Sequence, residues 1–158
     1  MAVNAHLTLT GRQKDGTGET AVTEHSGAAE YFEKNGSCYI FYEEVYDGGD
    51  TVIKNIVKLK NSVLELSRRG SISARMLFEQ GKEYITDYAT PCGCLKMGIS
   101  THSLDVSRTE GVLKIHIKYS LTSNGSPVSE CSMDITVRID RQACLLEPPV
   151  RPDASAET

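Results

Sequence analysis

What this chain lacks removes most of the chemistries open to a protein of its size. No apolar run approaches the roughly 20 residues that a membrane-spanning helix needs. No Gly-rich loop joins a strand to a helix, so a nucleotide site of the usual kind is not expected. Charge of one sign is also missing: 17 Lys and Arg stand against 21 Asp and Glu, mixed along the sequence, for a net charge of -4. That balance gives no electrostatic footprint for nucleic acid or an anionic membrane. The five cysteines are an odd number at irregular spacing. They make no disulfide framework, and a reducing cytoplasm is the expected setting. Met1 to Leu9 alternates without an apolar core segment, so no signal peptide is expected. His6, His25, His102 and His116 form no recognisable nucleophile arrangement with Ser, Cys or Asp. Enzyme activity and a cofactor are therefore not the expectation.

What is present is strand after strand. Val112 to Ile139 reads as one β-hairpin. Leu113, Ile115, Ile117, Tyr119 and Leu121 share a face on its first arm, and Cys131, Met133, Ile135, Val137 and Ile139 share one on its second. Period-two alternation of this length belongs to a sheet with one dry and one wet face. A plain two-residue loop at Asn124-Gly125 would put the two apolar rows on opposite faces, which a buried face forbids. A three-residue loop, Ser123 to Gly125, restores the match and pairs Ile117 with Cys131, Ile115 with Met133 and Leu113 with Ile135.

Further strands are expected at Val3 to Thr10, Thr20 to Phe32 (interrupted by a bend or bulge at Ser26-Gly27), Cys38 to Tyr46, Val52 to Leu59 and Val63 to Arg69. They continue at Ile72 to Phe78, Glu83 to Thr90 and Leu95 to Val106. About ten strands joined by turns of two to five residues imply sequential antiparallel neighbours, and a sheet of that width curls and closes. The expected fold is all-β: one antiparallel up-and-down barrel of eight to ten strands over residues 1–140, with 141–158 a flexible Pro-containing tail. Its inward residues include Leu64, Leu66, Met76, Phe78, Met97, Ile99, Ile115, Ile117, Met133 and Ile135.

Polar residues on apolar rows mark the candidate site. Leu64 and Leu66 point inward, so Arg68 shares their face. Both faces of Cys38 to Tyr46 look dry, so one of Glu43 and Glu44 lies inside the barrel. A buried guanidinium needs a carboxylate or several acceptors. A Glu44–Arg68 pair is the bland account. The sharper one has Arg68, with Tyr42 and Tyr88, present donors to a carboxylate or phosphate in a cavity, Glu44 helping to orient the ligand. Cys92 and Cys94, two apart on a strand, could face one ion, but zinc needs two further ligands and no second close Cys or His pair exists. They read as small apolar residues, and no metal is expected.

An ordered series carries a resemblance: Tyr42-Glu43-Glu44, Arg68-Arg69-Gly70, Met76-x-Phe78 with Gly81, Tyr88-Ala89-Thr90-Pro91-Cys92-Gly93, and Tyr119-x-Leu121 before Asn124-Gly125. In order and spacing this set resembles the YwiB-like family of bacterial proteins of unknown function, over roughly Val3 to Ile139. The resemblance implies a calycin-like (lipocalin-like) β-barrel in a cytoplasmic setting and carries no known substrate or catalytic residue. Where that family often has an aromatic after the Thr-Pro step, this chain has Cys92, so closure of that barrel end is expected to differ. Together these readings point to non-enzymatic binding of a small, mainly apolar molecule with an anionic group. The alternative is a structural or protein-interaction module whose barrel is filled by side chains. A homodimer is the expected self-association, since calycin-type barrels often pair.

Overall fold

The computed structural model describes residues 3–139, so the tail expected over 141–158 lies outside the described residues. Ten strands follow one another: β1 (Val3–Asp15), β2 (Thr20–Lys34), β3 (Ser37–Tyr46), β4 (Thr51–Lys60), β5 (Val63–Arg69), β6 (Ala74–Glu79), β7 (Glu83–Thr90), β8 (Gly93–Thr109), β9 (Val112–Ser123) and β10 (Ser126–Ile139). They form one sheet in the order β6-β5-β4-β3-β2-β1-β10-β9-β8-β7. First and last strands are laddered from Ala5↔Ile139 to Asp15↔Ser129. The seam instead falls between β6 and β7, which are joined by the Ser73↔Ala89 bridge and by the Thr86 hydroxyl donating to the Arg75 carbonyl at 2.7 Å. The result is a nearly closed antiparallel barrel. Among the described residues no helix is long and apolar enough to cross a membrane.

The inward rows expected from alternation make the core. Leu64, Phe78, Ile99, Ile115, Ile117 and Ile135 are essentially sealed, Leu66, Met76 and Met133 are buried, and Met97 packs against them half-buried. Each fully buried aliphatic side chain of this size stabilises the fold by about 1.5–3 kcal/mol, so the ten inward positions account for much of the driving force.

Four local expectations differ from what is observed. The β9–β10 hairpin pairs Ile117 with Met133, Ile115 with Ile135 and Leu113 with Val137, not with Cys131, Met133 and Ile135. The parity argument was sound but the extra residue lies elsewhere. Asn124 and Gly125 both have positive φ (51° and 86°) and make a two-residue turn, whose twist suits the flanking strands. The apolar rows are brought back onto one face by an irregularity between Pro127 and Ser129. Proline has no amide to lose there and lies beyond the last rung to β1. Second, β2 is not interrupted at Ser26-Gly27. Both residues are laddered to β1 (Thr8 and Leu7), and the irregularity falls on the other side, where rungs to β3 stop at Glu30↔Phe41. Third, β8 runs longer than expected and shifts register between Thr101 and Ser103. The inward row therefore passes from odd positions (Met97, Ile99, Thr101) to an even one (Leu104). β1 likewise continues five residues past Thr10, exposed on both faces at its tip, which hides it from a search for alternation.

Because consecutive strands alternate direction, the β1–β2, β3–β4, β5–β6, β7–β8 and β9–β10 connections all gather at one end of the barrel. That end is the mouth. The opposite end is closed by the Asn35-Gly36, Asn61-Ser62, Gln80–Lys82 and Glu110-Gly111 turns, with Gly81 and Lys82 bonded to the Thr101 backbone.

Candidate functional site

The barrel mouth opens into a cavity of about 560 Å³. Its apolar wall is built from Leu9, Leu66, Met76, Met97, Leu121 and Met133. Phe78 lies edge-on to the cavity-lining Tyr119, ring centroids 5.0 Å apart. All four residues singled out from the sequence line it: Tyr42, Glu44, Arg68 and Tyr88.

Register explains why they meet. Tyr42 on β3 is opposite Asn55 on β4, Asn55 is opposite Arg68 on β5, and Arg68 is opposite Ala74 on β6. One cross-sheet row thus carries three polar side chains inward. Glu44, two residues beyond Tyr42 on the same face, brings its carboxylate to the guanidinium. Of the two acids left open by parity, Glu44 is the inward one and Glu43 faces out. Arg68 Nη2 donates to Glu44 Oε1 at 2.5 Å, Nε to Asn55 Oδ1 at 3.1 Å, and Nη1 to the Tyr88 hydroxyl at 3.0 Å. The last of these spans the β6–β7 seam.

Asn55 escaped the sequence reading although it is 1% exposed. Its signal was there: a lone amide on the inward row Ile53, Asn55, Val57, Leu59. It accepts from Arg68 and donates, at the long distance of 3.4 Å, to Glu44 Oε1 and to the Ile53 carbonyl. Tyr46, also on the cavity wall, was not singled out either. His25 lies against Tyr42 with ring centroids 5.2 Å apart, and its buried Nε2 has no partner among the described residues.

Charge is settled by these contacts. Burial pulls the Arg68 guanidinium toward neutrality, but Tyr88 and Glu44 oppose it and the net shift is upward, so it stays charged. Burial, with Glu44 adding to it, pushes the Tyr42 phenol well above its ordinary value, so it remains a donor at neutral pH. Burial first, then Glu44, pushes Tyr46 up as well. A guanidinium carries five N–H groups, and protein partners take three of Arg68's. The two left over, the Tyr88 O–H and the Tyr42 O–H leave the cavity rich in donors beside one carboxylate.

The remaining candidates stay apart from this site. Among the described residues the cysteines are free: Cys92 and Cys94 are exposed on the β7–β8 hairpin, while Cys38 and Cys131 are buried. Among the described residues no group of three or more His, Cys, Asp or Glu could hold a metal ion. The turn at Cys92 is closed by Thr90, whose hydroxyl donates to the Gly93 carbonyl at 2.9 Å and accepts from the Cys92 amide at 3.2 Å. Local hydrogen bonds hold this end of the hairpin without an aromatic side chain after Pro91. His6 and His116 face outward as alternation implies, the latter against Asp134.

Fold and site together define a small, nearly closed antiparallel β-barrel with a donor-rich mouth over an apolar floor. The chain belongs to the family described as Domain of unknown function (DUF1934), whose profile matches residues 7–135. It is 28% identical over 104 residues to the uncharacterized beta-barrel protein YwiB of Bacillus subtilis (strain 168), covering 66% of this chain and 72% of that relative. The crystal structure of the B. subtilis ywiB protein superposes with a TM-score of 0.76 at 25% identity, over 87% of this chain and 92% of that one. The barrel and the family implied by the residue series are thereby established.

Proposed function

We propose that the barrel binds, without transforming it, a small and mainly apolar molecule whose anionic or strongly accepting end meets Arg68. The observation that carries this reading is the half-open cavity of about 560 Å³, a size within the usual range of ligand sites. Its polar groups converge at one rim and its depth is apolar. Glu44 lowers the net charge at the rim, so the ligand's head is held by hydrogen bonds from Arg68, Tyr42 and Tyr88 more than by bare Coulomb attraction. The unpaired thiols fit the reducing cytoplasm this reading takes as its setting.

A thermal-shift screen of medium-chain fatty acids and phosphorylated metabolites tests it, paired with native mass spectrometry of protein purified from its host. A rise in melting temperature that Arg68→Ala removes is the expected result. No shift with any of these at millimolar concentration, together with a bare native mass, overturns the reading. That outcome would favour a purely structural role for the polar cluster, a role consistent with Arg68 already having three protein partners.

A further inference from the structure

We propose that the bare edge of β3, where β2 and β3 part, docks an extended peptide from another protein, whose alternate, outward-facing positions carry apolar side chains and at least one basic side chain. This surface opens on the outside of the barrel, its groove reaching in as far as Tyr42 and Asn55, and the proposal does not depend on what the cavity holds.

The argument starts from the β2–β3 turn. Asn35 and Gly36 have φ of 54° and 78°, a two-residue turn that makes Lys34↔Ser37 the hydrogen-bonded closing rung. In an antiparallel ladder hydrogen-bonded pairs recur at every second residue, so Tyr39 and Phe41 also direct their backbone groups at β2. Glu43 and Val45 are next in that series. No rung reaches them, because pairing ends at Glu30↔Phe41 while β3 continues to Tyr46. β2, laddered to β1 throughout, diverges from β3 with its own edge bare from Ala28 back to Thr20.

Among the described residues nothing seals the fork. A groove of about 730 Å³ lies over it, lined by Ala28, Phe41, Val45 and Ile56. Val45 is 57% exposed and Ile56 36% exposed, side by side on the outer face of the barrel. An aliphatic ligand would cover these side chains and leave the Glu43 and Val45 amides and carbonyls unpaired. Only another backbone supplies donors and acceptors at strand spacing. The free stretch of β3, Tyr42 to Tyr46, is about 16 Å long when extended, enough for a short strand.

Charge decides which strand. Glu30 stands at the crotch of the fork and Glu43 just below it on β3, and both line the groove with Lys54 as the one base. Neither carboxylate is in an ion pair among the described residues. A second copy offering the bare β2 edge brings Glu24 and no Lys or Arg, its His25 being turned against Tyr42, which sets acid against acid, and cross-strand pairing disfavours that. A foreign segment carrying Lys or Arg on its outward face satisfies Glu30 and Glu43 together.

The test uses random heptapeptides displayed on phage, selected against the immobilised full chain, with enriched peptides synthesised and measured by fluorescence anisotropy. The expected consensus holds apolar residues and at least one Lys or Arg at alternate positions of the same parity. Val45→Pro removes an amide that has no barrel partner, so it weakens binding about tenfold while the denaturation midpoint stays near wild type. Glu43→Lys weakens it similarly. If Val45→Pro lowers the midpoint, a peptide N-methylated at its pairing amides reads the same bonds from the other side and loses affinity. A consensus without alternation or without base overturns the proposal. So does full affinity of Val45→Pro or of the N-methylated peptide, or a dimer of the chain that Val45→Pro dissolves.

Discussion

Replacing Arg68 with alanine removes the centre of the polar row and leaves its neighbours in place. Three hydrogen bonds go at once: to Glu44 at 2.5 Å, to Asn55 at 3.1 Å and to Tyr88 at 3.0 Å. Glu44 then keeps the long 3.4 Å contact from Asn55 and a hydrogen bond from the Tyr46 hydroxyl. In a dry core, stripping the partner from a buried carboxylate costs about 3–5 kcal/mol. This core is not dry at that point. The side chains of Arg68 and Glu44 are 18% and 15% exposed and border an open cavity. Water entering the space left by the guanidinium solvates part of the freed charge, and the expected loss falls to about 2–3 kcal/mol. Arg69, exposed on the next position of β5, gives the internal control: Arg69→Ala changes stability by no more than about 0.5 kcal/mol. Urea unfolding followed by far-ultraviolet circular dichroism reads both, since the chain has no Trp to report by fluorescence. Glu43→Ala and Glu44→Ala extend the contrast to the partner strand, with only the second costly. Equal, small losses at Arg68 and Arg69 would refute the reasoning, because they would mean that water already solvates the guanidinium and the row contributes nothing.

Alkaline titration of the tyrosines gives a second check. Tyr31, Tyr42 and Tyr119 are pushed above their ordinary pKa of 10.0, each chiefly by burial. A phenol whose folded pKa is raised contributes stability that is intact below pH 10 and is lost as pH rises toward the folded value. Ultraviolet titration is therefore expected to show these three ionising late, together with unfolding, and simultaneous ionisation of every tyrosine near pH 10 would contradict the burial. Gly70→Ala is expected to destabilise by about 2–3 kcal/mol in the same urea assay. Gly70 has a φ of +150°, and a Cβ there would sit 2.4 Å from the Val52 carbonyl oxygen, which cannot yield without moving β4. Gly125→Ala, at φ +86° but in open space, costs only about 1 kcal/mol. With a thiol reagent such as Ellman's, Cys92 and Cys94 react in the native state, while Cys38 and Cys131 are blocked until unfolding; rapid reaction of Cys131 would mean that the cavity admits far more than small ligands.

Alternation by itself determined the class of fold. Between bulges a residue's face in a strand depends only on its parity, and parity survives any error in where a strand begins. That is why Leu64, Leu66 and Arg68, or Ile115 and Ile117, could be turned inward from sequence, and why Arg68 and its cavity neighbours were within reach. Parity also failed usefully at β3, where Tyr39, Phe41 and Val45 are as apolar as the inner row. That ambiguity was the trace of the outer groove, and contacts with β2 and β4 had to resolve it. Register lies beyond parity. One inserted residue in the β9–β10 hairpin satisfies the apolar rows whether it sits in the turn or at Pro127–Ser129, and the sequence holds nothing nearby to rank the two. The choice depends on which strand lies on the far side, here β1, whose ladder ends at Ser129.

The site divides along the same line. That Arg68 needs a carboxylate follows from the cost of burying a charge, and it requires no coordinates. That the carboxylate is Glu44, that Asn55 stands between Arg68 and Tyr42, and that Tyr88 reaches Arg68 across the seam all follow from how β3, β4, β5 and β7 are set against one another. The sequence specified which side chains face the interior because alternation is local. Only the tertiary structure decided which of them meet, because strand pairing and barrel closure are fixed by residues far apart in the chain, and it alone showed that the interior they face is left open.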